Sequence, residues 1–237
     1  MKWTSPCCRV TLHRGHCLEL LADIGFFHHV ITDPPYGIKL RNADASGVFR
    51  RKRSHTIHGD DSTQVGEQFL SECRRLIGVT GSIIAFASPS QPWSGRWRNL
   101  IVWDKGGAVG GGGDIATCLK RTWELIQAWN AKPLNGPRDG SVWSYPIVPA
   151  DTTDHICAKP VPLMERLTEV FTDSDDVVLD GFMGSGSTGV AAVRTGRRFI
   201  GIELDPTHFE TSKRRIMESL ALPVPDKIGL SQQRMFS

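Results

Sequence analysis

The chain has no apolar run long enough to cross a bilayer, and its beginning holds no apolar core of the length a secretion signal needs. A cytoplasmic protein with no membrane partner is expected. Cysteine is sparse. Six of them (Cys7, Cys8, Cys17, Cys73, Cys118, Cys157) in 237 residues cannot form a dense disulfide framework, so reduced thiols are the default. Cys7, Cys8, His13, His16 and Cys17 crowd together but lack the second separated pair of a zinc site, and no metal is assigned. Neither sign of charge dominates. Twenty-eight Lys and Arg against 25 Asp and Glu leave a formal charge of +3, which permits a polyanionic partner without demanding one. The local run Arg50-Arg51-Lys52-Arg53 is more informative than that total. No internal repeat is present.

What is there suits one α/β domain with long loops: 40% hydrophobic residues are enough for a core, and 22% charged is ordinary. Apolar runs predict strands at 10–12, 30–32, 82–86, 99–103, 123–129, 177–180 and 198–203. Helical spacing predicts helices at 17–21, 64–77, 161–171, 187–194 and 208–220. The rest of 1–16 reads as irregular. Residues 37–60 form a long basic loop, 106–113 a loop with six glycines, 130–154 a connection rich in Pro, Gly and Asp, and 222–237 a tail. Strands alternating with helices mean a mostly parallel sheet covered on both faces.

Val30-Ile31-Thr32 leads straight into Asp33-Pro34-Pro35-Tyr36, and Gly37 lets the chain turn. A buried strand ending in a carboxylate delivers it to the carboxyl edge of the sheet, where ligands of open α/β sheets sit. Two prolines remove two donors and stiffen the turn. Left exposed are acceptors, the Asp33 side chain and the carbonyls of Asp33 and Pro34, followed by an aromatic ring. That combination suits a flat heterocycle with an exocyclic amino group. A plain turn is the competing reading.

A second strand, Val177-Val178-Leu179-Asp180, runs into Gly184-Ser185-Gly186-Ser187-Thr188-Gly189. This fits G-x-G-x-x-G between a strand and a helix, and Glu203 closes the next strand where a ribose-binding acid is expected. Read literally it is a dinucleotide fingerprint, so a nicotinamide-dependent oxidoreductase is one alternative. Asp180 argues against a diphosphate and for a cationic ligand. S-adenosylmethionine offers a ribose for Glu203, an ammonium and a sulfonium for the acidic edge, and no phosphate. The competing reading is that Asp180 only caps the turn after it.

Together these residues resemble the DNA amino-methyltransferases of the permuted, beta-type motif order. Asp33-Pro34-Pro35-Tyr36 matches the catalytic tetrapeptide. Asp180-Gly181-Phe182-Met183-Gly184-Ser185-Gly186-Ser187-Thr188 looks like the cofactor loop, and Gly201-Ile202-Glu203-Leu204-Asp205 like the ribose-binding strand end. His155 with Lys159-Pro160-Val161 is similar to the segment before that loop, which places Lys159 near the methionine carboxylate. Trp103-Asp104-Lys105, Trp123-Glu124 and Val142-Trp143 are weaker echoes. Gly181 stands where the family usually has Pro, Ser187 where it has Thr, and His16 where it has Asp near the adenine.

The resemblance implies a Rossmann-like, doubly wound sheet of the S-adenosylmethionine-dependent methyltransferase type, circularly permuted. The catalytic half spans about 9–130, the cofactor half about 155–216, and recognition loops about 37–60 and 104–150. Asp33, Pro34, Pro35 and Tyr36 become catalytic. His16, Asp33, His155, Lys159, Asp180, Phe182, Gly184, Ser185, Gly186, Ser187, Glu203 and Asp205 become cofactor-binding. Double-stranded DNA is the expected partner, held by Arg41, Arg50, Arg51, Lys52, Arg53, Lys120 and Arg121. Asp33 and the Pro34 carbonyl would localise the lone pair of a base amino group, and Tyr36 would stack on the flipped base. Asp in first place favours N6 of adenine over N4 of cytosine. Trp93, Trp97 and Trp103 are expected to pack rather than stack on bases. A non-catalytic remnant, and methylation of RNA or a protein amide, are rivals. A homodimer and a restriction partner suit the family, but no residue pattern here establishes either.

Overall fold

Val30-Ile31 and Ile83-Ile84 lie side by side at the middle of one sheet, and no residue of either strand reaches solvent. In the computed structural model the described residues are 1–35, 63–107, 119, 122–137, 139–148 and 158–222. The strands are Lys2–Thr4 (β1), Val10–Arg14 (β2), His29–Thr32 (β3), Ser82–Ala87 (β4), Asn99–Asp104 (β5), Trp123–Asn130 (β6), Val142–Ser144 (β7), Val177–Asp180 (β8) and Arg198–Glu203 (β9). Between them run the helices Cys17–Leu20 (α1), Gln64–Ile77 (α2), Val161–Phe171 (α3), Ser187–Arg194 (α4) and Pro206–Leu220 (α5). The strands form one sheet in the order β1-β2-β9-β8-β3-β4-β6-β5-β7. Only β1 and β6 run against the rest.

Successive side chains of a strand point to opposite faces, and both faces here are covered. Ile31, Ile84, Val178 and Phe199 face α3, α4 and α5 through Leu163, Leu167, Val190, Phe209 and Ile216. Val30, Ile83, Leu179 and Ile202 face α1 and α2 through Cys17, Phe69, Leu70, Cys73 and Ile77. That explains why β3, β4 and β8 read as continuous apolar runs.

The chain leaves β8 through α4 to β9 on one side, and β3 through α2 to β4 on the other. Between β8 and β3 the winding reverses. A crevice opens at such a switch point, at the carboxyl ends of the strands. Because β6 is antiparallel to β4, it brings its first residues, Trp123 and Glu124, to that same edge.

At the other edge His29 is buried. Its Nδ1 accepts from the Ser82 N–H at 3.1 Å, so its Nε2–H donates to Asp176 at 2.8 Å. This pins the starts of β3, β4 and β8 together.

Three elements differ from expectation. β1 lies in the stretch read as irregular and β7 in the stretch read as connection. Each is three residues at a sheet edge, too short to show a period. The last helix begins at Pro206 rather than 208, because the Asp205 side chain caps it, accepting from the N–H groups of Thr207 and His208.

Candidate active site

Asp33 follows the last residue of β3 with its side chain 27% exposed. Pro34 is buried behind it. Its seat is formed by Gly66 of α2 and Trp93. A β-carbon at Gly66 would stand 2.6 Å from the Trp93 ring and 3.0 Å from Pro34 Cβ. Trp93 is itself fixed, its indole N–H donating to the Phe86 carbonyl at 2.7 Å and its backbone N–H to Gln127 Oε1 at 2.7 Å. The stiffness of the proline turn is thus backed by a glycine and a hydrogen-bonded tryptophan. Trp93 and Trp103 pack in the core, as expected.

Lys159, just before α3, reaches Asp33 Oδ2 with its Nζ at 2.8 Å and Glu124 Oε2 at 3.0 Å. Lys105 holds the other Glu124 oxygen. Asp33, Lys159, Glu124 and Lys105 form a ladder of alternating charge. The Lys159 ammonium also lies over the rings of Phe86 (4.7 Å) and Trp103 (5.7 Å). Burial pulls the Lys159 ammonium down, but Asp33 and Glu124 outweigh it and hold its pKa above the usual lysine range. For Glu124, burial pushes the carboxyl up, and the two lysines outweigh that and hold it below its ordinary value.

The glycine turn sits beside this ladder. Asp180 is 2% exposed and spends its carboxylate inside the protein. Oδ1 accepts from the Thr32 hydroxyl at 2.7 Å and the Phe182 N–H at 3.0 Å, and Oδ2 from the Thr188 hydroxyl at 2.6 Å. It ties the end of β3 to the turn and to α4. Burial, with a smaller push from the Asp33 charge, raises its pKa to about 6 against the pull of those donors. The expectation that Asp180 faces a cation is therefore corrected: the carboxylate braces the loop from below. Gly184 and Gly186 take positive φ values of 49° and 81°, which glycine adopts without strain. Gly189 packs α4 onto Phe199 and Ile216.

Glu203, at the end of β9, accepts from the Gly184 N–H and the Asp205 N–H, each at 2.8 Å. Burial raises its pKa against those two bonds. Each oxygen retains a lone pair for a further donor. Asp205 caps α5, its Oδ1 accepting from the Thr207 and His208 N–H groups. The Gly15 N–H bonds the Glu203 carbonyl at 2.9 Å, which sets His16 beside that strand end. His16 Nδ1 and Ser187 Oγ are buried with no hydrogen-bond partner among the described residues. Two orphaned polar atoms flanking a carboxylate on a glycine-lined edge fit a ligand that carries both a ribose and polar ends.

The structure thus brings Asp33, Pro34, Pro35, Lys159, Gly184, Ser185, Gly186, Ser187, Glu203 and His16 to the edge on either side of the crevice. Tyr36, Arg41, Arg50, Arg51, Lys52, Arg53, Lys120, Arg121 and His155 lie outside the described residues. Sequence reasoning quoted Thr32, Lys105, Glu124 and Thr188 within its motifs but gave none of them a role, and it passed over Gly66. For Glu124 the signals were the Trp123-Glu124 echo and its place as the one acid opening the apolar run 123–129. Among the described residues no group of His, Cys, Asp and Glu could hold a metal ion, and no helix is long and apolar enough to cross a membrane.

The strand order and switch-point crevice define a Rossmann-like methyltransferase fold. M1.HpyAVI, solved as a SAM complex, superposes with a TM-score of 0.66 at 22% identity, covering 87% of this chain and 98% of that one. The PvuII cytosine-N4-specific DNA methyltransferase superposes with a TM-score of 0.66 at 16% identity, covering 90% of this chain and 86% of its own. In sequence, the type II methyltransferase M2.MboI of Moraxella bovis is 23% identical over 238 residues, 87% of each chain. The DNA methylase family model matches residues 102–214. The family model and the type II methyltransferase relatives support a DNA amino-methyltransferase of the N6-adenine/N4-cytosine type.

Proposed function

We propose that this protein methylates the N6 amino group of adenine in double-stranded DNA, with S-adenosylmethionine as donor. The observation that carries the reading is the Thr32–Asp180 hydrogen bond at 2.7 Å, which locks the end of the Asp33 strand against the end of the glycine-loop strand. A nucleobase at Asp33 and a cofactor on the glycine loop would then be neighbours.

The chemistry such a cofactor supplies is an electrophilic methyl group on a sulfonium. Glu203 takes the ribose hydroxyls with the lone pairs its backbone bonds leave free. His16 and Ser187 supply the polar atoms that lack partners. Lys159 would take a carboxylate on the ligand while keeping its contact with Asp33. Asp33 and the Pro34 carbonyl accept the two hydrogens of the base amino group, which localises the nitrogen lone pair for transfer. Asp33 then offsets the positive charge growing on that nitrogen. Tyr36 stacks on the flipped base. Arg41, Arg50, Arg51, Lys52, Arg53, Lys120 and Arg121 contact DNA, the basic run anchoring phosphates; neutralising its four residues should flatten the salt dependence of binding.

Adenine is preferred because Asp opens the tetrapeptide. The test incubates the protein with labelled S-adenosylmethionine and unmethylated duplex DNA, then digests the product to nucleosides for mass spectrometry. N6-methyladenine is expected. N4-methylcytosine alone would overturn the choice of base, and no methylated nucleoside would overturn the function.

A further inference from the structure

We propose that Glu124 is a positioning residue for the transfer, dividing the Lys159 ammonium between itself and Asp33 and so setting how firmly that ammonium grips the Asp33 carboxylate. The inference rests on the function proposed above. Its ground is the ladder itself. Lys159 Nζ is 2.8 Å from one carboxylate and 3.0 Å from the other, a nearly even split. The side chains of Lys159 and Glu124 are only 11% and 20% exposed, so water does little to screen these charges. Lys105 on the far oxygen of Glu124 completes the row, and the four charges cancel. The groups facing Lys159 are the Asp33 and Glu124 carboxylates and the rings of Phe86 and Trp103. Asp180, bonded to the end of the Asp33 strand, adds a further carboxyl behind Asp33.

The amino nitrogen becomes positive as it is methylated, so what Asp33 offers depends on how much of its charge Lys159 has already taken. With Glu124 in place the ammonium answers to two anions. Without it the ammonium belongs to Asp33 alone, and the crevice gains one unit of positive charge where positive charge must develop. Glu124 touches no reacting atom. It acts through Lys159.

The experiment compares wild type with Glu124→Gln, Glu124→Asp and Lys105→Met. For Glu124→Gln, kcat should fall at least tenfold, while the KM for DNA and the binding of S-adenosylhomocysteine by calorimetry change less than about threefold. Glu124→Asp should recover part of kcat. Independently of turnover, the 15N–1H signal of the Lys159 ammonium, assigned with Lys159→Arg, should exchange its protons with water faster in Glu124→Gln than in wild type at about pH 7, and no faster in Lys105→Met. Unchanged exchange and chemical shift in Glu124→Gln, or a kcat loss that tracks a fall in melting temperature, would overturn the proposal. A wild type that methylates no DNA would sink the proposed function, while the ammonium signal would still report whether Glu124 shares it.

Discussion

The ring of Phe69 occupies the space that a side chain at Gly181 would need. A β-carbon built on Gly181 lies 2.2 Å from Phe69 Cζ, closer than any real contact. Phe69 is fully buried and meets Phe182 edge to face at 5.2 Å. The glycine at this point of the loop, where the family usually has proline, is thus matched by a bulky ring from α2.

That match is testable as a cycle. Gly181→Ala alone should destabilise by about 1–3 kcal/mol through overpacking. Phe69→Leu alone should cost about 1 kcal/mol, as a hydrophobic swap of lower volume. Together they should cost less than the sum, with a coupling above about 0.5 kcal/mol by denaturant unfolding. Additive losses would mean that the ring and the glycine do not set each other's size.

Gly66→Ala should reduce methyl transfer. In an exposed helix the change would stabilise by about 1 kcal/mol. Here the new carbon would press on Trp93 and Pro34. We expect a net loss of about 1–2 kcal/mol and a drop in kcat, because the seat of the proline turn moves. Unfolding curves with steady-state rates check both.

Asp33→Asn should lower kcat by at least about a hundredfold, in line with the loss of one preorganised charge stabiliser. S-adenosylhomocysteine binding, measured by calorimetry, should survive, because the glycine loop is braced by Asp180 rather than by Asp33.

Two buried groups should shape stability against pH with opposite signs. Asp180 has its folded pKa raised to about 6 from 3.8, so the folded state holds the proton more tightly. Stability from this group is full below about pH 4 and falls as pH rises to about 6, by on the order of 3 kcal/mol. His29 has its folded pKa pushed down by burial, against the pull of Asp176. Its contribution is full above about pH 6.5, the ordinary histidine value, and is lost as pH falls below it. Denaturant unfolding from pH 4 to 8 should show Asp180→Asn without the first slope and His29→Gln without the second.

The chain's own residues determined the strands that matter most. β3, β4 and β8 are buried on both faces because helices cover both, and that is legible as short apolar runs with no polar alternation. The tetrapeptide at Asp33 and the glycines after Asp180 were legible because a turn that carries chemistry needs particular residues at fixed neighbouring positions. Tertiary structure alone decided what each carboxylate does. Asp180 and Asp33 look alike in sequence, each an acid at a strand end. Phe182 and Thr188, just beyond it in the chain, supply two donors to Asp180; the pairing of β3 with β8 adds the third, Thr32, and leaves Asp33 at the crevice. Glu124 shows the same limit. Its distance from Lys159 along the chain hid its role, and the antiparallel run of β6 brought it to that ammonium. Charge acts through space, and the order of residues along a chain does not record which charges will meet.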